Sequence, residues 1–355
     1  MKTHRLPTRR SHGVAVALLS LAAASSAATA AHAEEGKELR IYNWSSYTAP
    51  DMIEKFERET GIKVSIDTYD SNETLLAKLS AGSSGYDIAV ASSDFVPIMI
   101  EQGLIQPIDA STFKNYEHLA PEWKTREWDP GNHYSIVWNW GTTSAVVDTA
   151  VYKGPTDSLG LLFNPPAELQ GKIGMSGAMS EVISLALVYL GKPQCTSEKE
   201  DLKALSALLE AQKPFVKVYD AAGVAERLGA GELVASQTWS GAAYQARQQR
   251  ASLHYIYGKE GVYGWADNAV VPKTAQHPEN AKAFLNFLLQ PENAAMLSNF
   301  TGSQNGITGS SAFMTKALAE APEINPPKDE KISFGHVCPE AATRAYDRIW
   351  TKVRG

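Results

Sequence analysis

Leu39-Arg40-Ile41-Tyr42-Asn43-Trp44-Ser45-Ser46-Tyr47 decides how this chain is read. Residues 39–42 read as a short buried strand that runs straight into a loop carrying an indole, two hydroxyls and a second aromatic ring. A helix then opens at Pro50, a residue favoured in the first helical turn because its φ is already helical and its missing N–H has no partner there. Ligands of open α/β sheets bind outside the carboxyl ends of the strands. The loop Trp44-Ser45-Ser46-Tyr47 is therefore a candidate ligand platform, with Trp44, Ser45 and Ser46 as candidate contacts. The alternative is that Trp44 caps the core and the serines only turn the chain.

Working outward, strand and helix alternate from Leu39 to Gln106. The helix from Pro50 to Thr60 puts Met52, Ile53 and Phe56 on one face and stops at Gly61. Val64–Tyr69 alternates as a strand. Asn72 is expected to cap a helix carrying Leu75, Leu76 and Leu79. Tyr86–Val90 is a buried strand leading into Ala91-Ser92-Ser93-Asp94-Phe95, followed by a short helix that Gly103 stops. Strands separated by crossover helices imply a parallel sheet with right-handed connections. The strand ends at Trp44 and Ser92 then face one crevice. Tyr134–Asp148 is a longer β-type run, long enough to leave one domain and enter another. The same rhythm returns in strands at 172–175, 215–218 and 233–239, with helices after Met179, Ser197, Ala221 and Ala242. Residues 256–261 read as a turn, Val262–Val271 as β-type, and 278–289, 291–300 and about 340–353 as helices. Two α/β units joined by extended crossings imply two lobes and a central cleft, the preferred place for a ligand pocket.

The 355 residues carry a net charge of −6 and are 44% hydrophobic, an ordinary globular composition. Nucleic-acid binding would call for a basic face. Lys2, Arg5, Arg9 and Arg10 precede an apolar run, Val14 to Ala24, too short to span a bilayer. Ala31-His32-Ala33 fits a cleavage site, so residues 1–33 are expected to be a signal peptide. Ser11-His12-Gly13 continues Arg9-Arg10 poorly for a twin-arginine signal, which favours ordinary secretion. The first cysteine is Cys195, too far from the cleavage point for a lipid anchor. The expected product is exported and free of the membrane. Its two cysteines, Cys195 and Cys338, suit one disulfide in an oxidising compartment. Two unpaired thiols are the alternative.

Enzyme signatures are missing. There is no Gly-x-Ser-x-Gly elbow, no His-Glu-x-x-His and no phosphate loop, since Gly171-Lys172 is not followed by Ser or Thr. No cysteine–histidine set has metal spacing. The expectation is a protein that is not an enzyme and carries no cofactor and no metal. What remains at strand ends and helix starts is Trp44, Trp239 and Trp265 with Asp94, Glu181 and Asp267. Indoles stabilise cations over their faces, and carboxylates form charge-assisted hydrogen bonds to ammonium. The set suits an alkylammonium ligand. Read singly, each of these tryptophans could be core and each acid a solvated cap.

Ile41-Tyr42-Asn43-Trp44-Ser45, Phe56-Glu57-x-Glu59-Thr60-Gly61-Ile62-Lys63-Val64, Tyr69-Asp70-Ser71-Asn72-Glu73, Lys259-Glu260-Gly261, Ala283–Leu289 and Ile349-Trp350-Thr351-Lys352-Val353 carry a family likeness. The chain resembles the periplasmic putrescine- and spermidine-binding proteins of bacterial ABC importers over nearly its whole expected mature length. The resemblance implies a type II periplasmic binding protein: two α/β lobes, a hinge and a cleft that closes on a cationic amine. The lobes would be 37–139 plus 265–308, and 140–264 plus 309–355. It further implies a periplasmic monomer with an ABC permease as partner and no role with nucleic acid.

Carried over from the family, Trp44 and Ser45 form a first wall and Ser92 with Asp94 a second loop. Glu181 takes an ammonium, Trp239 walls the second lobe, and Trp265 and Asp267 supply a ring and a central carboxylate. The chain departs from the putrescine-binding pattern at three points. Ser46 and Ala242 stand where that type has Asp, and Ser303 where it has Tyr. The departures imply an amine with fewer charged ends, or a larger ligand. Three other readings stay open: the same fold binding a mono-cation or zwitterion such as an amino acid, opine or 4-aminobutyrate; a sensor that hands its complex to a chemoreceptor; and an enzyme with Glu181 or Asp267 as base. A zwitterion needs a basic partner in the cleft. Arg247 and Arg250 are the nearest candidates, on what reads as a solvated helix face.

Overall fold

The computed structural model describes residues 36–82 and 84–355. The signal peptide expected over 1–33 lies outside them. In chain order the elements are β1 (Glu38–Trp44), α1 (Pro50–Thr60), β2 (Lys63–Tyr69), α2 (Asn72–Ser80), β3 (Ile88–Ser92), α3 (Val96–Glu101), β4 (Ile105–Gln106) and β5 (Ser135–Asp148). Then come α4 (Gly160–Phe163), β6 (Ile173–Met175), α5 (Met179–Leu190), α6 (Lys199–Gln212), β7 (Val216–Tyr219), α7 (Val224–Gly229), β8 (Ala235–Trp239), α8 (Ser240–Gln249) and β9 (Leu253–Ile256). The chain ends with β10 (Val262–Pro272), α9 (Pro278–Leu288), α10 (Pro291–Thr301), α11 (Lys316–Ala319), β11 (Ile332–Phe334) and α12 (Glu340–Arg354).

The main path of the sheet is β2-β1-β3-β10-β5-β8-β6-β7. At one end β1 pairs in parallel with β2 and β3, and at the other β6 pairs in parallel with β7 and β8. The expectation of parallel strands needs one correction. β10 runs antiparallel to β3 and β5, and β5 antiparallel to β8. Neither long strand is fed by a crossover helix, so nothing constrains it to the parallel direction. β9 pairs with β5 where a turn was expected at Ile256, and β11 pairs with β10 in a stretch that showed no strand pattern.

The apolar residues separate into two main cores. The first gathers Leu39, Ile41, Phe56, Leu75 and Trp138 from the early chain with Phe284 and Leu297. The second gathers Leu162, Ile173, Leu185, Leu205 and Ile256 with Ile349 and Val353. A smaller cluster around Leu228 and Leu253 packs under α7 and α8. Cys195 and Cys338 are joined by a disulfide with Cα atoms 4.9 Å apart. Among the described residues no helix is long and apolar enough to cross a membrane.

Candidate ligand-binding site

Strand register assembles the site. Asp267 on β10 stands opposite Ser92 on β3 and Asn139 on β5. Two residues back, Trp265 faces Gly141. Two further back, Tyr263 faces Thr143, which pairs in turn with Trp239 on β8. Side chains two apart on a strand share a face, so Tyr263, Trp265 and Asp267 project together. The register slips between Asp267 and Asn268, a bulge of the kind that re-aims a side chain.

Asp267 is 8% exposed. Tyr47 donates its hydroxyl to one carboxylate oxygen at 2.8 Å and Ser92 to the other at 3.0 Å. The Trp44 indole N–H is buried without a completed hydrogen bond, yet it sits close enough to favour the charged carboxylate. Burial outweighs all three and pushes the Asp267 pKa up to about 6. Ser92 is held by Asn72, whose amide donates to the serine Oγ at 3.0 Å and accepts from its N–H at 3.1 Å. Asn72 is free to do this because Ser71, not Asn72, caps α2 by accepting from the Thr74 N–H.

Asp94 follows the end of β3. Burial, with the Asp267 and Glu73 carboxylates adding to it, raises its pKa to about 6. Across the sheet Glu181 sits in the first turn of α5 and accepts from the Trp239 indole N–H at 2.7 Å. Burial raises its pKa, while Ser176 and Trp239 pull it down. Tyr263 links the two ends. Burial raises its hydroxyl pKa, and the charges of Asp94 and Glu181 push in the same direction. No Lys or Arg is among the groups acting on Asp94, Asp267 or Glu181. Burial thus raises the pKa of three carboxylates that have indole and phenol neighbours and no Lys or Arg acting on them, and an unpaired buried charge costs free energy.

Trp265 owes its position to Gly141. A Cβ there would lie 2.5 Å from the indole Cζ2 and 2.7 Å from Ser240 Oγ. The Trp265 N–H, like that of Trp44, is buried and unpartnered. Ser45 and Ser46 are exposed, and Ser46 adopts a left-handed φ of 55°. That turn delivers Tyr47, rather than either serine, to Asp267. Ala242 packs against the cluster around Leu228. Ser303 is buried against the start of α8, where a Cβ on Gly241 would meet its Oγ at 2.8 Å. Neither hydrogen-bonds the Asp267 group. Asn72, Gly141 and Tyr263 are the candidate-site residues that sequence reasoning missed; Tyr47 was read as part of the Trp44 loop, but its contact with Asp267 was not. The only signal for Tyr263 was an aromatic two positions from Trp265.

Arg247 and Arg250 are partly exposed, but neither is free. Arg247 forks onto Glu323, which is 1% exposed, and Arg250 pairs with Asp148, also 1% exposed. Both guanidiniums are already neutralised. Among the described residues no group of His, Cys, Asp or Glu is placed to hold a metal ion. Surface cavities of about 280 and 500 Å³ lie away from this site, beside Arg126 and beside Lys282.

The sequence profile of the bacterial extracellular solute-binding proteins matches residues 51–326. The putrescine-binding periplasmic protein SpuD of Pseudomonas aeruginosa is 35% identical over 356 residues, covering 95% of this chain and 97% of its own. The spermidine/putrescine-binding periplasmic protein of Escherichia coli is 32% identical, with 95% and 97% covered. The spermidine/putrescine ABC transporter substrate-binding protein PotD of Streptococcus pneumoniae superposes with a TM-score of 0.81 at 27% identity, over 90% of this chain and 99% of that one.

Proposed function

The chain belongs to the bacterial extracellular solute-binding proteins, and we propose that it captures a polyamine or related cationic amine for an ABC importer in the periplasm. The observation that carries this reading is Asp267: a buried carboxylate, oriented by Tyr47 and Ser92 and flanked by indoles, with no cation of its own. An ammonium placed there gains a charge-assisted bond and an aromatic face. Asp94 doubles the negative charge at that end. Glu181, braced by Trp239, offers a second one.

The lobes are 37–139 plus 265–308 and 140–264 plus 309–355. Closure about β5 and β10 brings Asp267 and Glu181 onto one ligand, and the closed monomer then engages the permease. Differential affinity for the closed state drives the motion. A zwitterion is disfavoured because Arg247 and Arg250, the basic partners considered for it, are bound to buried acids. Ala242 and Ser303, in place of an acid and a ring, leave the second ammonium held by Glu181 alone.

A thermal-shift screen of the mature protein tests the proposal, with putrescine, cadaverine, spermidine, agmatine, choline, 4-aminobutyrate and basic amino acids. Stabilisation grows as RT ln(1 + [L]/Kd). Diamines or polyamines should raise the melting point. A rise with 4-aminobutyrate or an amino acid alone would overturn the amine assignment.

A further inference from the structure

The segment Ile332–Cys338 is fastened to both main cores. At one end Phe334 packs on the first core, its ring 6.1 Å from Trp123 and 5.8 Å from Trp128. The Arg126 guanidinium is sandwiched there, 4.3 Å from the Trp123 ring and 4.4 Å from the Phe334 ring. Its Nε is buried without a hydrogen-bond partner, so this arginine is used for stacking rather than for pairing. His336, midway along, places Nδ1 2.7 Å from Glu127. At the other end Cys338 packs on the second core and is bonded to Cys195, in the loop after α5. Just before the first anchor, β11 pairs with β10, with Ile332 and Phe334 seated over Gly264.

We propose that residues 332–338 form a strap that resists separation of the two lobes. The Cys195–Cys338 bond is its fixed end, and the Trp123–Arg126–Phe334 stack is its releasable one. The reasoning is geometric. The stretch from Phe334 to Cys338 reaches about 14 Å at full extension, so while the stack holds, the lobes cannot part further than that leash allows. The first-core end is non-covalent and half-buried, so it is the end that yields. A single cation–π contact sets the scale of the bias, roughly a fivefold change in the ratio of closed to open molecules.

The test uses ligand-free protein, so it stands or falls separately from the amine assignment, which the thermal-shift screen judges. Small-angle X-ray scattering would compare the wild type with Phe334→Ala, with Arg126→Gln, with the pair Cys195→Ser/Cys338→Ser, and with Phe334→Ala added to that pair. Releasing the stack should shift the radius of gyration upward, and removing the disulfide should do so less, because α12 still holds that end on the second core. The combined variant should move no further than the larger single effect, because a strap free at one end already carries no tension. Unchanged scattering in every variant would overturn the proposal. So would shifts from the two ends that add, since that is the behaviour of independent local packing. Arg126→Gln removes the stack without emptying a core position, and it decides the matter if Phe334→Ala fails to fold.

Discussion

Replacing Asp267 by Asn should separate stability from binding in opposite directions. The Asp267 pKa is raised from 3.8 to about 6, a shift of roughly 2 units, or about 3 kcal/mol against the charged form. The sign follows from linkage. A carboxylate whose folded pKa lies above its unfolded one carries no such cost below pH 3.8, and the full cost above about pH 6. At pH 7.5 the ligand-free wild type bears it and the amide does not. Asn keeps one acceptor, so either Tyr47 or Ser92 must rotate its hydroxyl to accept instead, a loss of about 1 kcal/mol. The net expectation is a ligand-free variant more stable by about 2 kcal/mol, seen as a melting point higher by a few degrees. Amine binding should collapse, because the ammonium is left in a sequestered site without its counter-charge. A loss of about 3–5 kcal/mol corresponds to roughly 10²- to 10³-fold or more in Kd. Scanning calorimetry without ligand and titration calorimetry with putrescine and spermidine measure the two halves. A variant that melts several degrees lower, or that binds amine within about threefold of wild type, would refute the reasoning.

Amine affinity should be flat above about pH 7 and fall as pH drops through 6, because Asp94 and Asp267, both near 6, must lose protons to receive a cation; titration calorimetry at pH 5.5 in buffers of different ionisation enthalpy should register proton release. Gly141→Ala should cost about 1–3 kcal/mol by overpacking, since its Cβ meets Trp265 and Ser240 Oγ inside 3 Å, and a shift in tryptophan emission should accompany the lowered melting point. Arg247→Ala should cost about 3–5 kcal/mol in chemical denaturation by leaving Glu323 buried and unpaired, whereas Arg247→Met with Glu323→Met should recover much of that loss.

The first strand and its Trp44 loop were legible because local signals agreed: an apolar run, a loop, then a helix-opening Pro50. The family motifs lay in the same places. The carboxylates and indoles were legible as chemistry at strand ends. What could not be read was who would meet whom. Tyr47 lies 220 residues from Asp267, and no local pattern records that contact. Asn72 read as a cap because Asn favours caps. Ser71 took that role, and only the sheet register shows Ser92 beside the freed amide. The direction of β5 and β10 was invisible because periodicity is the same in either direction. Arg247 and Arg250 read as solvated because their partners, Glu323 and Asp148, come from remote segments. β11 was too short and too partly buried to show a period.

Both cores are interleaved along the chain, which orders events in time. The first core needs Phe284 and Leu297 as well as Leu39 and Ile41, and the second needs Ile349 and Val353. A ribosome that has released only the first 260 residues has supplied neither. Domains that are contiguous in sequence fold as they emerge. This chain has no such early domain, because the core beneath its opening strands also needs α9 and α10. The first core can close only once α9 and α10 have been made, and the second only once α12 has.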